Sequence, residues 1–425
     1  MTNRRGLLVT AGIASRWQDA APLLEGLHAE ATKPTGALLA DCGGFFAPGR
    51  YYEFGGGSLE RDVLARFYDV LAPSTFGFRH YREDDQLAGK SVCANIVDRD
   101  GRPVFTPYLA VGFGRTHTLI TSVISRSQFQ AIAPSEREGL RWTDPANTLT
   151  ALGARLPPRG MLQRALVVLS YDAVDAAVRL ARQCPAITAI FTRSERDFAL
   201  GARREGNTHI LTPREPADTY AMLRPRAADW TGHTATFPEP IGAADRHLTE
   251  LNTRIAKMNA HLQMPLGRTR SQWRATVPDR RELLNRVAQH LLGHVEEIDS
   301  VVLNESVISP RRLDSQITRG AVLDIAPGDV RLVRVELASD DAAKLPDRVR
   351  TLLGPVLTLT RPGIEGSVRV ATSRQIAKDV LGLAHCDIGG LTDHLVPTLT
   401  RNGGKYEARP SARGPRRVLT EVEHD

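Results

Sequence analysis

The chain is short of the residues that would staple it, anchor it or lay it along a polyanion. Its four cysteines, Cys42, Cys93, Cys184 and Cys386, are far apart and form no CxxC pair. That spacing indicates neither a zinc knuckle nor a disulfide framework and predicts reduced thiols in a cytoplasmic protein. Lysine is scarce, with six among 55 basic residues, and the arginines that make up the rest are scattered. Aromatic residues are 6% of the chain, and no dense basic stripe carries them at stacking intervals, so the net charge of +7 does not predict a nucleic-acid partner. Long apolar runs are also missing. Leu7 to Ile13 is too short, and too soon followed by Arg16, for a signal segment, and nothing approaches the length of a membrane span. What remains is ordinary globular composition, 42% apolar and 24% charged, over 425 residues, which is enough for two domains.

The first half alternates short apolar runs with amphipathic patterns, as a layered α/β domain does. Leu7 to Thr10, Gly36 to Ala40, Thr118 to Ile124 and Ala165 to Leu169 read as buried strands. Trp17 to Ala31, Ser58 to Leu71 and Ala173 to Gln183 read as helices. A Thr, Pro and Gly-rich stretch from Trp230 to Ile241 ends the pattern, and a helix follows from about Ala243. Its apolar face carries Leu248, Leu251, Ile255, Met258 and Leu262. A second helix is expected from Pro278, with Leu283, Leu284, Val287, Leu291 and Val295 on its core face. Strands at Ser300 to Leu303, Val330 to Leu337 and Ser367 to Ala371 complete a smaller α/β domain. The expected division is therefore 1–235, a connector helix at 243–263, a second domain at 264–400, and a tail at 401–425 with no apolar period.

Several segments, in this order, resemble the 5'-nucleotidase family, whose N-terminal domain is a calcineurin-like metallophosphoesterase β-sandwich flanked by helices. SVCANI at Ser91 to Ile96 is similar to the family's sANv segment. LVVLSYDAVDAAVRLARQCPAITAIF at Leu166 to Phe191 is similar to the strand, helix and strand around its LsH and GHsH motifs. PLGRTRSQW at Pro265 to Trp273 and IDSVVLNESVIS at Ile298 to Ser309 resemble parts of the C-terminal α/β domain. The resemblance implies two divalent metals held by carboxylate, histidine and asparagine ligands about 3.5–4 Å apart, which activate water and neutralise a phosphoryl group.

The ligand positions depart from that pattern. Gly12 and Ala14 stand where Asp and His belong, and Gly44 stands at the bridging Asp. Phe78 and Arg79 replace the Asn ligand and the catalytic His. Tyr171 replaces a histidine, and Thr192 to Glu195 replaces GHSH, so that Arg193 and Glu195 occupy histidine positions. No metal or other cofactor is expected. The family's substrate arginine becomes Ser309 in the loop that starts at Asn304, with Arg311 and Arg312 close enough in sequence to substitute. Pro327, Gly328, Asp329 and Val330 replace PFGN, which removes an aromatic face for a base.

Three further stretches have alternative readings. His80, Glu83, Asp84 and Asp85 suit either a metal or a solvated loop, and the loop is expected. Ala384 to Gly390 sets His385, Cys386 and Asp387 side by side, where adjacent side chains diverge, so Cys386 is expected to be structural. Phe54 to Ser58 is read as a flexible loop with Ser58 capping the next helix. The function expected first is that of a non-hydrolytic binding or scaffold protein, with a protein partner in a bacterial pathway. The second is a metal-independent enzyme for an anionic small molecule, with Arg79, Arg193, Tyr171, Glu195 and His80 at the anion site; against it stands the reading that Glu195 pairs with one of the arginines and simply fills the vacated space. The third, phosphate-ester hydrolysis, needs the metals.

Overall fold

A computed structural model describes residues 4–401, apart from 115, 157–162, 194–200, 214–218, 227–228, 241, 243–244, 329, 365 and 384. It falls into two compact units that divide between Asn259 and Ala260, inside the helix Arg246–Leu262.

The first unit is a sandwich of two mixed sheets. One has the strand order Asp229–Thr236, Thr219–Arg226, Leu7–Thr10, Leu38–Asp41 and Val70–Leu71, its last three strands parallel. The other runs Gly201–Glu205, Thr208–Thr212, Ala189–Thr192, Gln163–Ser170, Thr116–Ser122 and Leu109–Phe113, with four parallel strands at its centre. Alternate side chains of the central strands meet between the sheets: Leu7, Val9, Leu38 and Ala40 from one, Val167, Leu169, Ala189 and Phe191 from the other. The intervening residues Leu166, Val168 and Ile190 face outward into a second core with Val174, Ala177 and Ala181 of the helix Val174–Gln183. Strands buried on both faces explain why these segments read as continuous apolar runs.

The second unit is a five-stranded sheet in the order Val356–Thr360, Ser300–Asn304, Ser367–Ser373, Arg331–Ala338 and Cys386–Gly390. The helices Arg280–His294 and Leu391–Leu399 pack on one face through Leu284, Leu291, Leu395 and Leu399. The helix Ser339–Leu353 covers the other through Leu345 and Val349. It is a three-layer α/β/α unit.

Several expectations shift. The Thr, Pro and Gly-rich stretch opens with the strand Asp229–Thr236. Phe54 to Ser58 is not a free loop: the helix Arg50–Gly55 ends there, and Gly57, left-handed at φ 72°, caps the next helix in place of Ser58. The helix expected from Pro278 begins at Arg280, because the Asp279 carboxylate accepts from Glu282 N–H at 2.8 Å. The helix read through Leu71 stops at Phe67, and Val70–Leu71 pairs as an edge strand. Cys386, expected to be structural, is exposed on an edge strand, whereas Cys42, Cys93 and Cys184 are buried. The tail at 402–425 lies outside the described residues.

Candidate functional site

The parallel strands of the first unit end in loops that converge at one corner. After Leu7–Thr10, Gly12 N–H donates to Gly43 O at 3.0 Å, Ala14 N–H to Gly44 O at 2.8 Å and Ser15 N–H to Phe45 O at 2.9 Å. These bonds lock Ala14 and Ser15 at φ 53° and 51°, a left-handed backbone that side-chain-bearing residues adopt at a cost of about 1–2 kcal/mol each. At the end of Leu38–Asp41, Asp41 is fully buried; its Oδ2 accepts from Gly43 N–H at 3.0 Å and its Oδ1 has no partner. Burial raises its carboxyl well above the usual range.

Gly43 and Gly44 follow at φ 109° and 72°. The Tyr171 ring, presented by the end of Gln163–Ser170, lies directly on them. A Cβ on Gly44 would clash with that ring, 2.3 Å from Cζ, 2.6 Å from Oη and 2.8 Å from Cε1, and one on Gly43 would be 2.9 Å from Tyr171 Cβ. Gln128 Nε2 donates to the Tyr171 carbonyl and fixes the residue from behind. The space left among Cys42, Ser74, Thr75, Gln128 and Tyr171 is a cavity of about 10 Å³, room for one water.

Arg193 follows the neighbouring strand Ala189–Thr192. Its N–H donates to Asp172 O at 3.2 Å, and Thr192 Oγ1 donates to the same oxygen. Its guanidinium sits over the Tyr171 ring, Cζ 5.7 Å from the centroid, and its Nε is buried without an acceptor. Tyr171 and Arg193 are thus brought together as a cation–π pair.

Phe78 and Arg79 open the short helix Phe78–Glu83 behind Gly77, left-handed at φ 71° against Phe46. Phe78 is fully buried, edge-on to Phe105 at 5.5 Å, so its phenyl ring is a core contact. Arg79 N–H donates to Glu136 Oε2 at 3.3 Å, and its positive charge acts on the Tyr52 phenol, opposing the upward push of burial on that hydroxyl. Tyr52 Oη lies 2.9 Å from His80 Nε2, and the His80 ring packs on Phe46 at 4.9 Å. Burial, helped by Arg61 and Arg79, pushes His80 down to about 4, so it is neutral at pH 7. The expected site residues therefore form two pairs, Arg79 with His80 and Arg193 with Tyr171, and no described contact joins one pair to the other. Glu195 lies outside the described residues. Tyr52 was invisible in the sequence because nothing local ties residue 52 to residues 79 and 80.

The loop residues of the second unit hold the backbone. Asn304 Oδ1 accepts from Ser306 N–H at 2.8 Å, and its Nδ2 donates to Leu353 O at 2.6 Å. Arg311 and Arg312 are exposed. Asn95, from the SVCANI segment, is likewise structural. It is fully buried, with Nδ2 on the carbonyls of Ile124 and Thr143 at 2.8 and 3.0 Å.

Sandwich, corner and following α/β/α unit define a two-part phosphoesterase-type architecture, and solved structures match it. Comparison of the sequence with family models and with curated proteins finds no match. Among solved structures, a 5'-nucleotidase precursor of Thermus thermophilus aligns at TM-score 0.60 and 16% identity, over 93% of this chain and 96% of that one. The sulfate thiohydrolase SoxB of Thermus thermophilus aligns at 0.58 and 16% identity, over 94% and 82%. The 5'-nucleotidase of Candida albicans aligns at 0.57 and 12% identity, over 94% and 98%. Over 93–94% of its length the chain has the fold of the 5'-nucleotidases.

The metal pair implied by that fold does not fit the residues present. A bridging carboxylate at Gly44 would need the volume that the Tyr171 ring fills. Among the described residues no group of three or more His, Cys, Asp or Glu side chains is placed to hold a metal ion.

Proposed function

We propose that this chain is a non-hydrolytic binding protein built on the 5'-nucleotidase fold. The observation that carries the reading is the Tyr171 ring seated on Gly43 and Gly44, with the Arg193 guanidinium over it, Cζ 5.7 Å from the centroid. A fixed cation and an aromatic ring stand at the strand ends that the resemblance assigns to ligands, and neither polarises water. Neutral His80 is committed to the Tyr52 hydroxyl, and buried Asp41 faces the backbone of the glycine turn, so neither is presented as a general base.

The second unit supports the same conclusion for nucleotides. Asn304 is used up in holding its own turn, and Ser309 N–H is tied to Ile325 O at 2.6 Å. Binding, of a protein partner or of a small anion, is what remains for such a frame. The test is metal analysis of the purified protein with turnover assays on nucleoside monophosphates and an aryl phosphate, with manganese or zinc added. The expected outcome is no stoichiometric transition metal and no metal-dependent turnover. Two tightly held metals per chain with turnover that follows them would refute the reading.

A further inference from the structure

The Arg193 guanidinium is an unresolved charge of the first unit. It is partly buried, its Nε has no acceptor, and no carboxylate among the described residues pairs with it. Elsewhere this arginine-rich chain pairs guanidinium groups with acids, as in Arg254 with Asp62 and Arg369 with Asp299. A buried N–H without an acceptor is costly, and a guanidinium without a counter-charge leaves a local positive field. The group is also held still. Its backbone N–H is bound to Asp172 O, its Cζ lies over the Tyr171 ring, and Tyr171 is itself held by the glycine turn and by Gln128.

We propose that the corner made by Arg193 over Tyr171 seats an oxyanion, the phosphate or sulfate group of a small ligand. The proposal rests on the non-hydrolytic reading above and names the ligand class for it. The guanidinium edge offers Nε–H and Nη–H side by side, a spacing that matches two oxygens of a tetrahedral anion. Stacking on a pinned ring sets the orientation of that edge before the ligand arrives, so little side-chain freedom is lost on binding. Charge neutralisation and an acceptor for the orphaned Nε–H come from the same ligand. No bond is made or broken.

The experiment is thermal denaturation of the full chain with inorganic phosphate or sulfate, against sodium chloride at matched ionic strength. At about ten times the dissociation constant the ion raises Tm by about 2–3 °C. Arg193→Gln removes the shift, Arg193→Lys keeps the charge but loses the fork and most of the shift, and Arg179→Gln, an exposed arginine on the adjoining helix, keeps it. An aryl phosphate and an aryl sulfate separate the sources. A larger shift with the ester assigns the seat to a ligand terminus, and an equal one assigns it to the free ion. Should Arg193→Gln not fold, phenylglyoxal modification of the wild-type chain gives the same information. Phosphate slows adduct formation at Arg193 and leaves Arg179 unaffected. A shift no greater than that of sodium chloride, a shift retained in Arg193→Gln, or an Arg193 that phosphate does not protect overturns the proposal. Absent anion binding without turnover overturns this inference alone, whereas metal-dependent turnover with anion binding intact overturns only the non-hydrolytic reading.

Discussion

A single methyl group on Gly44 tests the corner at the residue scale. Gly44 is left-handed at φ 72°, and a Cβ there overlaps the Tyr171 ring. The backbone term costs Gly44→Ala about 1–2 kcal/mol and the overlap about 1–3 kcal/mol more. In a Tyr171→Ala background the overlap disappears and only the backbone term remains. Urea unfolding of the four proteins in this cycle should show Gly44→Ala costing roughly half as much in the truncated background. Equal costs in both backgrounds would mean that the ring does not occupy the carboxylate position, and the argument against a metal pair would lose its geometric basis. The same scale shows backbone strain in the loop that follows the first strand. Ala14 and Ser15 keep a costly left-handed backbone, held by the carbonyls of Gly44 and Phe45, although Ala14 has no side chain to aim. Tyr171 and Arg193 stand just past the ends of their strands, a position legible in the sequence because strand ends are local features. That Arg193 lies over Tyr171 while His80 meets Tyr52 was not legible, because side-chain direction is set by packing partners that are distant in sequence.

At the scale of elements, the strands most legible in the sequence were those buried on both faces, such as Leu7–Thr10 and Ser300–Asn304. Asp229–Thr236 was hidden because most of its side chains are exposed or half-buried and its sequence, DWTGHTAT, carries no apolar alternation. Hidden as well was what gathers between the helices Arg280–His294 and Leu391–Leu399. His290 and His294 stack at 4.1 Å, and His394 closes on His290 at 5.7 Å from the other helix. Arg270 adds positive charge from the segment packed beside them, and Asp393 is the neighbouring acid, with Oδ2 taken by Gly390 N–H at 2.8 Å. Burial, then the two neighbouring imidazoles and Arg270, push His290 down to about 4 from an ordinary value of 6.5; burial lowers His394 too. Between those two values the unfolded chain takes up more protons than the folded one. Stability is therefore whole above about pH 6.5 and falls as pH drops toward 4. Melting temperatures of the wild type should fall between pH 7 and pH 5, and those of a His290→Asn, His394→Asn variant should fall less. An identical pH dependence in the two proteins would show that the cluster does not couple helix packing to protonation.

For the whole molecule, the excess of positive charge is spread rather than gathered, and this separates the general field from the seat at Arg193. A net charge of +7 over 425 residues, carried almost wholly by arginine, attracts any polyanion at low ionic strength. At 0.15 M salt the Debye length is about 8 Å, so exposed charges farther apart than that stop acting together. A fixed guanidinium with an orphaned donor is screened far less, because part of its interaction is a directional hydrogen bond in a partly buried corner. Duplex DNA should therefore be retained by the protein at about 20 mM salt and released by about 150 mM, without sequence preference and almost unchanged by Arg193→Gln. The phosphate-induced rise in Tm should persist at about 150 mM salt and vanish in the same variant. Fluorescence anisotropy with two unrelated duplexes across that salt range checks the first half. Retention above about 300 mM, or a preference for one duplex, would mean that a built nucleic-acid face exists and that the scattered arginines had been misjudged.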